Sequence, residues 1–117
     1  MTLDAFIETV KSGTPVSFSE TIEIIKTHYH YTPSRFTNGL GPDAIINEAG
    51  TNEGSCRIFA FALHHGLKES ETLQLFGDFY RKDVLENPDG QDHLNIRTFM
   101  REGWAGIQFD QPALRAI

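Results

Sequence analysis

The feature that most constrains the fold of this chain is an unbroken apolar run, residues 58–63, with polar residues on both sides. The run reads Ile-Phe-Ala-Phe-Ala-Leu, so every face of a helix built from it is apolar. Asn52 is a helix-start signal before the run, and Gly66 is a stop signal behind it. We therefore predict a buried helix of about ten residues at the centre of the fold.

Apolar residues at helical spacing predict two helices before this run. Residues 3–10 carry an apolar stripe with the i, i+3, i+4, i+7 pattern, and Gly13 ends it. Ser17 and Glu20, three positions apart, form a capping box that opens the second helix. Because the connection is short, the two helices are expected to form an αα-hairpin.

A fourth helix is expected over residues 70–85, with Ser70 as its cap. Gly77 lies inside it, and a glycine in a helix costs about 1 kcal/mol relative to alanine. Its presence predicts that another helix approaches closely at that point.

A fifth helix is expected to begin at Asp92 or His93 and to end at Gly103. Three of its apolar residues are expected to face inward, namely Ile96, Phe99 and Met100.

Residues 28–39 favour an extended backbone, since Tyr and Phe prefer strands and Pro33 excludes a helix before it. Residues 40–51, rich in glycine, are expected to be mostly loop. The apolar tail, residues 104–109, is expected to pair with the extended arm of residues 28–39, around Tyr31.

The predicted fold is α+β and predominantly helical, with four to five helices around a buried central helix and one short two-stranded β element. One domain is expected to span residues 1–117.

The charge pattern argues against nucleic acid as a partner. The formal net charge is -6, and the acidic excess is spread over both halves of the chain, whereas phosphate-backbone binders carry a basic footprint. No apolar stretch reaches the roughly 20 residues that a membrane span needs. The single cysteine and the absence of a cationic, apolar signal sequence favour the cytoplasm.

The polar residues 52–55 precede the apolar run and are candidates for anion binding. Free backbone N–H groups at a helix start attract anions. Ser55 adds a hydroxyl, and Glu53 lies between Asn52 and Ser55 in the sequence. The alternative is an ordinary cap, in which the Asn52 side chain bonds to the N–H group of Gly54 or Ser55.

A second polar group lies at the start of the fifth helix. His93 and Arg97 are four positions apart and share a helix face, with Asn95 between them. If that face meets residues 52–55, the result is a cationic, amide-rich pocket for a carboxylate or phosphate. The predicted ligand-binding residues are Asn52, Glu53, Ser55, His93, Asn95 and Arg97. The alternative is that Asn95 and Arg97 only anchor loops.

Other chemistry is less favoured by the sequence. Cys56 is read as a buried structural thiol, because it directly precedes the apolar run. His28 and His30 would lie on one face of a strand, but His64 and His65 point about 100° apart on a helix. We predict no catalytic residue, no metal and no cofactor.

Five motifs occur in order along nearly the whole chain. They are YTPSRFTNG (31–39), NEGSCRIFAFA (52–62), YRKDVL (80–85), DHLNIR (92–97) and GWAGI (103–107). In these motifs the chain resembles the HopJ type III effector family. The resemblance implies a bacterial protein and, from the family name alone, secretion by a type III system. It implies no catalytic residue.

Two functions therefore stay open. The first is a non-enzymatic interaction domain whose unknown protein partner contacts a surface near Asn38, Asn52 and the fifth helix. The second is a small-anion binding protein or enzyme with its pocket at residues 52–55. The first expects the polar motif residues to cap helices and brace loops, and the second expects them to converge on one concavity.

Overall fold

The computed structural model describes residues 2–117 and has six helices and two small antiparallel sheets, with about 53% of the chain helical. The α-helices are α1 (Leu3–Lys11), α2 (Phe18–His28), α3 (Glu53–His64), α4 (Glu69–Gln74) and α5 (Leu94–Glu102), and a π-helical segment spans Phe79–Val84. The strands are β1 (Tyr29–Tyr31), β2 (Phe36–Asn38), β3 (Ile45–Asn47), β4 (Ile107–Phe109) and β5 (Leu114–Ala116). Two 3₁₀ turns, Gly41–Asp43 and Gly103–Gly106, complete the regular structure.

The first two helices begin as the sequence predicts. Thr2 Oγ1 accepts a hydrogen bond from the Ala5 N–H at 3.1 Å at the start of α1. At α2, Glu20 N–H donates to Ser17 Oγ at 3.0 Å, and Ser17 N–H donates to Glu20 Oε1 at 2.9 Å. This reciprocal pair confirms the predicted capping box.

The predicted fourth helix over residues 70–85 is wrong as a continuous element. It begins after Lys68 rather than Ser70, stops at Gln74, and resumes as the π-helical segment. Gly77 causes the break, because its φ of +62° is left-handed. A Cβ there would lie 2.6 Å from the backbone nitrogen of Phe18, so the predicted close approach exists, and it is to the start of α2.

The prediction of one two-stranded β element is also wrong, because the strands form two sheets. β1 pairs antiparallel with β5, and β2 lies between β3 and β4 in a three-stranded antiparallel sheet. The tail, residues 104–109, pairs with the arm through β4 and β2 rather than around Tyr31, and Tyr31 pairs instead with β5, which lies outside the predicted tail. β3 falls within residues 40–51, which the sequence analysis assigned mostly to loop, since three residues carry too little alternation to reveal a strand.

The helix formed by the apolar run is mostly buried. Ile58, Phe59 and Phe61 have no exposed surface, whereas Leu63 is 53% exposed, so the prediction that every face is buried fails at the last residue. Met100 on α5 was expected to face inward and is 44% exposed. The rings of Phe36, Phe76 and Phe99 lie with centroids 5.0 to 5.9 Å from that of Phe59.

Candidate functional site

The starts of α3 and α5 share an unusual backbone conformation. Asn52 (φ 48°) and His93 (φ 49°) are the two non-glycine residues with positive φ in residues 2–117. Such conformations cost free energy and are concentrated at functional sites. Each residue is the N-cap of its helix, and no side chain in the described chain provides a capping bond at either position.

The capping role considered for Asn52 is therefore wrong. Its left-handed backbone turns the side chain away from the helix, and Asn52 Nδ2 donates to Asn47 Oδ1 at 2.8 Å. The first N–H group bonded inside α3 is that of Cys56, which donates to Asn52 O at 3.0 Å, and in α5 it is that of Arg97, which donates to His93 O at 3.1 Å. The preceding N–H groups of both first turns carry the positive end of the helix dipole.

Both helix starts line one cavity of about 510 Å³, a volume within the usual range for small-molecule sites. Its polar wall comes from both starts and the loop before α5, through Asn52, Ser55, Gln91, His93 and Asn95. Among these residues His93 alone is titratable, and no aspartate, glutamate, lysine or arginine of the described chain lines the cavity.

The apolar wall of the cavity comes from α2, β3, the helix break and α5. It consists of Phe18, Ile45, Phe76, Phe79, Leu94 and Ile96, with Gly54 at the start of α3. No sequence pattern indicated this wall, because its members are distant in the chain and belong to apolar stripes that are typical of a core.

A network of four asparagines holds the two helix starts together. Asn95 Oδ1 accepts from Asn38 Nδ2 at 3.0 Å and from Asn47 Nδ2 at 3.2 Å. Asn47 Oδ1 accepts from Asn95 Nδ2 at 2.9 Å and from Asn52 Nδ2 at 2.8 Å. Asn38, Asn47 and Asn95 are buried, so these bonds lie in a low dielectric and fix β2, β3, α3 and α5 relative to one another.

His93 has an acidic partner beside the cavity. Its Nε2 lies 3.0 Å from Asp83 Oδ2, and because a carboxylate only accepts, the nitrogen is the donor. The remaining nitrogen, Nδ1, is an acceptor in the neutral ring and a donor in the protonated ring. The imidazole also packs against Phe79, with centroids 5.2 Å apart.

Glu53 and Cys56 face away from the cavity. Glu53 Oε1 accepts from the Tyr31 hydroxyl at 3.3 Å, which leaves its carboxylate on the other side of α3. Cys56 is 1% exposed, and its Sγ lies 3.7 Å from the carbonyl oxygen of Ser34. The predicted burial of this thiol is therefore confirmed.

Arg97 braces the loop before α5 and does not line the cavity. Its guanidinium donates to the carbonyl oxygens of Asp92 at 2.7 Å and Asn87 at 2.9 Å, and to Asp92 Oδ1 at 2.7 Å. The hydrogen bond from Arg97 holds the pKa of the Asp92 carboxyl below its ordinary value. Arg97 and His93 diverge because His93 is a left-handed cap, so the four-residue spacing does not place both on one helix face.

The six predicted ligand-binding residues therefore separate into two groups. Asn52, Ser55, His93 and Asn95 line the cavity, whereas Glu53 and Arg97 lie elsewhere. Asn47 was not predicted, because its bonds to Asn95 span 48 positions and leave no local signal in the sequence.

The opposite end of α3 carries a different polar cluster. The Tyr29 hydroxyl is hydrogen-bonded to His65 Nε2, and the rings of His64 and His65 lie 4.9 Å apart. Burial lowers the pKa of His65, and the neighbouring His64 lowers it further. Within residues 2–117 no three His, Cys, Asp or Glu side chains are grouped to hold a metal ion.

One family model and one solved structure match the chain over nearly its whole length. The model of the family described as "HopJ type III effector protein" matches residues 3–114. The crystal structure of a protein of unknown function, VPA0580, is similar over 100% of this chain and 95% of that chain, with a TM-score of 0.94 and 45% identity. No curated protein matches the chain. None of the helices in residues 2–117 is long and apolar enough to cross a membrane.

Proposed function

The chain belongs to the HopJ type III effector protein family, and from the geometry of its cavity we propose that it binds a small anion, a carboxylate or a phosphate, between the starts of α3 and α5. One observation carries this proposal: two helix starts without side-chain caps in the described chain line the same cavity. The family description suggests secretion, so the protein is expected to act as an effector after export.

The electrostatics of the cavity support an anionic ligand. Each helix start is equivalent to roughly half a positive charge, and two of them act on the same space. No carboxylate in residues 2–117 lines that space to compete with a ligand, and Ser55 and Asn52 add hydroxyl and amide groups at its wall. A carboxylate or phosphate would complete the hydrogen bonds of the first turns.

His93 adds its imidazole ring to the wall of the cavity. Its Nε2 is held by Asp83 at 3.0 Å and lies 3.9 Å from Asp92. Arg97, bonded to Asp92, partly offsets the second carboxylate.

A non-enzymatic interaction domain is the second candidate. Arg97 and Asn38 favour it, because the bonds of these two motif residues hold loops and strands in place and leave them unavailable to a ligand. In this case the motifs maintain a surface for a protein partner, and the cavity has no ligand of its own.

Anion titrations monitored by thermal unfolding test the proposal. Acetate and inorganic phosphate, at constant ionic strength, should raise the midpoint of the wild-type protein, since a ligand present at 100 times its Kd stabilises the native state by about 2.7 kcal/mol. Ser55→Ala should reduce this shift, because it removes a hydroxyl from the cavity wall. Ser70→Ala on α4 is the matched control and should leave the shift unchanged. An unchanged midpoint with every anion would refute the proposal and favour the interaction domain.

A further inference from the structure

The apolar wall of the cavity contains groups that are exposed at its mouth. Phe79 is 40% exposed and Leu94 is 56% exposed, although both lie beside a concave space. Behind them Phe76 and Ile96 are buried and continue the apolar surface inward. A ligand that carries only a charged group would leave this wall in contact with water.

Three rings follow one another along this wall. The centroids of Phe18 and Phe79 are 5.0 Å apart with an angle of 67° between the rings, and those of Phe79 and His93 are 5.2 Å apart at 34°. These are the edge-to-face and tilted arrangements that aromatic rings prefer. A planar ring entering the cavity can continue this packing, whereas a saturated ring of the same size gains only apolar contact.

Gly54 brings the aromatic wall next to the backbone donors of α3. A Cβ at this position would lie 2.9 Å from Phe18 Cζ, so the glycine allows the ring to lie directly against the first turn. The N–H groups of this turn and the face of the wall are therefore neighbours. A ligand that uses both must carry its anionic group on the ring or one atom away from it.

The charge of the lining favours a single negative charge. Phosphate-binding sites commonly use arginine or lysine beside the backbone donors. Here neither residue type of the described chain lines the cavity, and His93 already interacts with Asp83. Two partial helix charges match a monoanion better than a dianion.

We propose that the cavity selects a small aryl carboxylate, with the carboxylate at the starts of α3 and α5 and the ring against Phe18 and Phe79. The anionic half of this inference rests on the proposed function, and the aromatic half is independent of it. Phe79 is the specificity-determining residue, because it contacts both Phe18 and His93.

Four probes separate the two halves when their affinities are measured by calorimetric titration at one pH and ionic strength. They are benzoate, cyclohexanecarboxylate, benzyl alcohol and inorganic phosphate. Benzoate is expected to bind roughly tenfold tighter than cyclohexanecarboxylate, and tighter than benzyl alcohol and phosphate. Equal affinities for the two carboxylates would overturn the aromatic inference and leave the proposed function standing. Equal affinities for benzoate and benzyl alcohol would refute the anionic half, and the absence of binding by all four probes would refute both.

Two substitutions locate the effect. Phe79→Leu keeps an apolar side chain and removes the ring, so it should reduce benzoate affinity to that of cyclohexanecarboxylate and leave the latter unchanged. Leu85→Ala, at an exposed residue just after the same segment that does not line the cavity, is the control. Equal losses for both carboxylates in Phe79→Leu would overturn the role of the ring. Unchanged thermal unfolding of the unliganded variant verifies that it is folded.

Discussion

The four longest helices begin in two different ways. At α1 and α2 the cap residue is extended, and its side chain accepts a hydrogen bond from the first turn, through Thr2 and Ser17. At α3 and α5 the cap residue is left-handed, and its side chain bonds to another element, Asn52 to Asn47 and His93 to Asp83. The first two starts are satisfied locally, whereas the other two depend on tertiary contacts.

The two kinds of helix start differ in how much they stabilise the fold, and the less stabilising kind lines the cavity. A side-chain cap contributes about 1 kcal/mol, and a left-handed non-glycine residue costs about 1 kcal/mol or more. The starts of α3 and α5 therefore lack this capping bond, and each carries a strained cap residue, yet both line the cavity. The buried asparagine network offsets this cost through the side-chain hydrogen bonds that join both starts to β2 and β3.

The largest expected effect comes from removing the centre of that network. Asn95→Ala removes three buried side-chain hydrogen bonds, one to Asn38 and two to Asn47, and each contributes about 0.5–1.5 kcal/mol. We expect the free energy of unfolding to fall by about 3 kcal/mol, as measured by urea denaturation. Asn52→Ala is the comparison variant, since Asn47 Oδ1 still accepts from Asn95 and the loss should be smaller. Equal losses would show that the network does not support the two starts as a unit.

An exchange of cap residues tests the comparison more directly. Serine and asparagine are equally good at an ordinary N-cap, so Ser17→Asn should change the free energy of unfolding by less than about 0.5 kcal/mol. Asn52→Ser should cost about 1–2 kcal/mol, because serine tolerates the left-handed conformation less well and loses the bond to Asn47. Denaturant unfolding of both variants provides the measurement. Similar values for the two would contradict the distinction between the starts.

The smallest effect is expected at the other end of α3, which does not line the cavity. Because the folded state lowers the pKa of His65 below the ordinary 6.5, the unfolded chain binds the proton more readily. The stability contributed by the neutral ring is fully present above pH 6.5 and is lost as the pH falls towards the lowered pKa. Thermal unfolding between pH 5 and 8 should show this slope, and His65→Gln should flatten it. A pH profile of unfolding that His65→Gln leaves unchanged would contradict the assignment to this ring.

Local patterns predicted much of the helical fold. The Ser17–Glu20 box and the stripe of α1 involve residues within one or two turns, so the sequence shows them directly. The break at Gly77 was not predictable in this way, because helix propensity does not reveal a φ of +62° imposed by the approach of α2. β3 and β5 were missed for a related reason, since three residues carry little local pattern and their pairing depends on partners elsewhere in the chain.

The candidate site was predictable at the level of motifs and not of geometry. The polar runs at residues 52–55 and 92–97 correctly indicated two helix starts, and four of the six proposed residues line one cavity. Arg97 was misplaced because its spacing from His93 assumed a regular helix through a left-handed residue. The aromatic wall around Phe79 depends on the helix break, so no local pattern contained it.

The asparagine network also determines when a cavity can exist. Asn38 and Asn95 are 57 positions apart, and Asn47 and Asn95 are 48 apart, so the space between the helix starts forms only after the later half of the chain has docked on the earlier half. Local unfolding of β2, β3, α3 or α5 would therefore remove the whole cavity. A bound small molecule would then protect the whole protein from proteolysis and hydrogen exchange. A fragment that ends before α5 would not bind it.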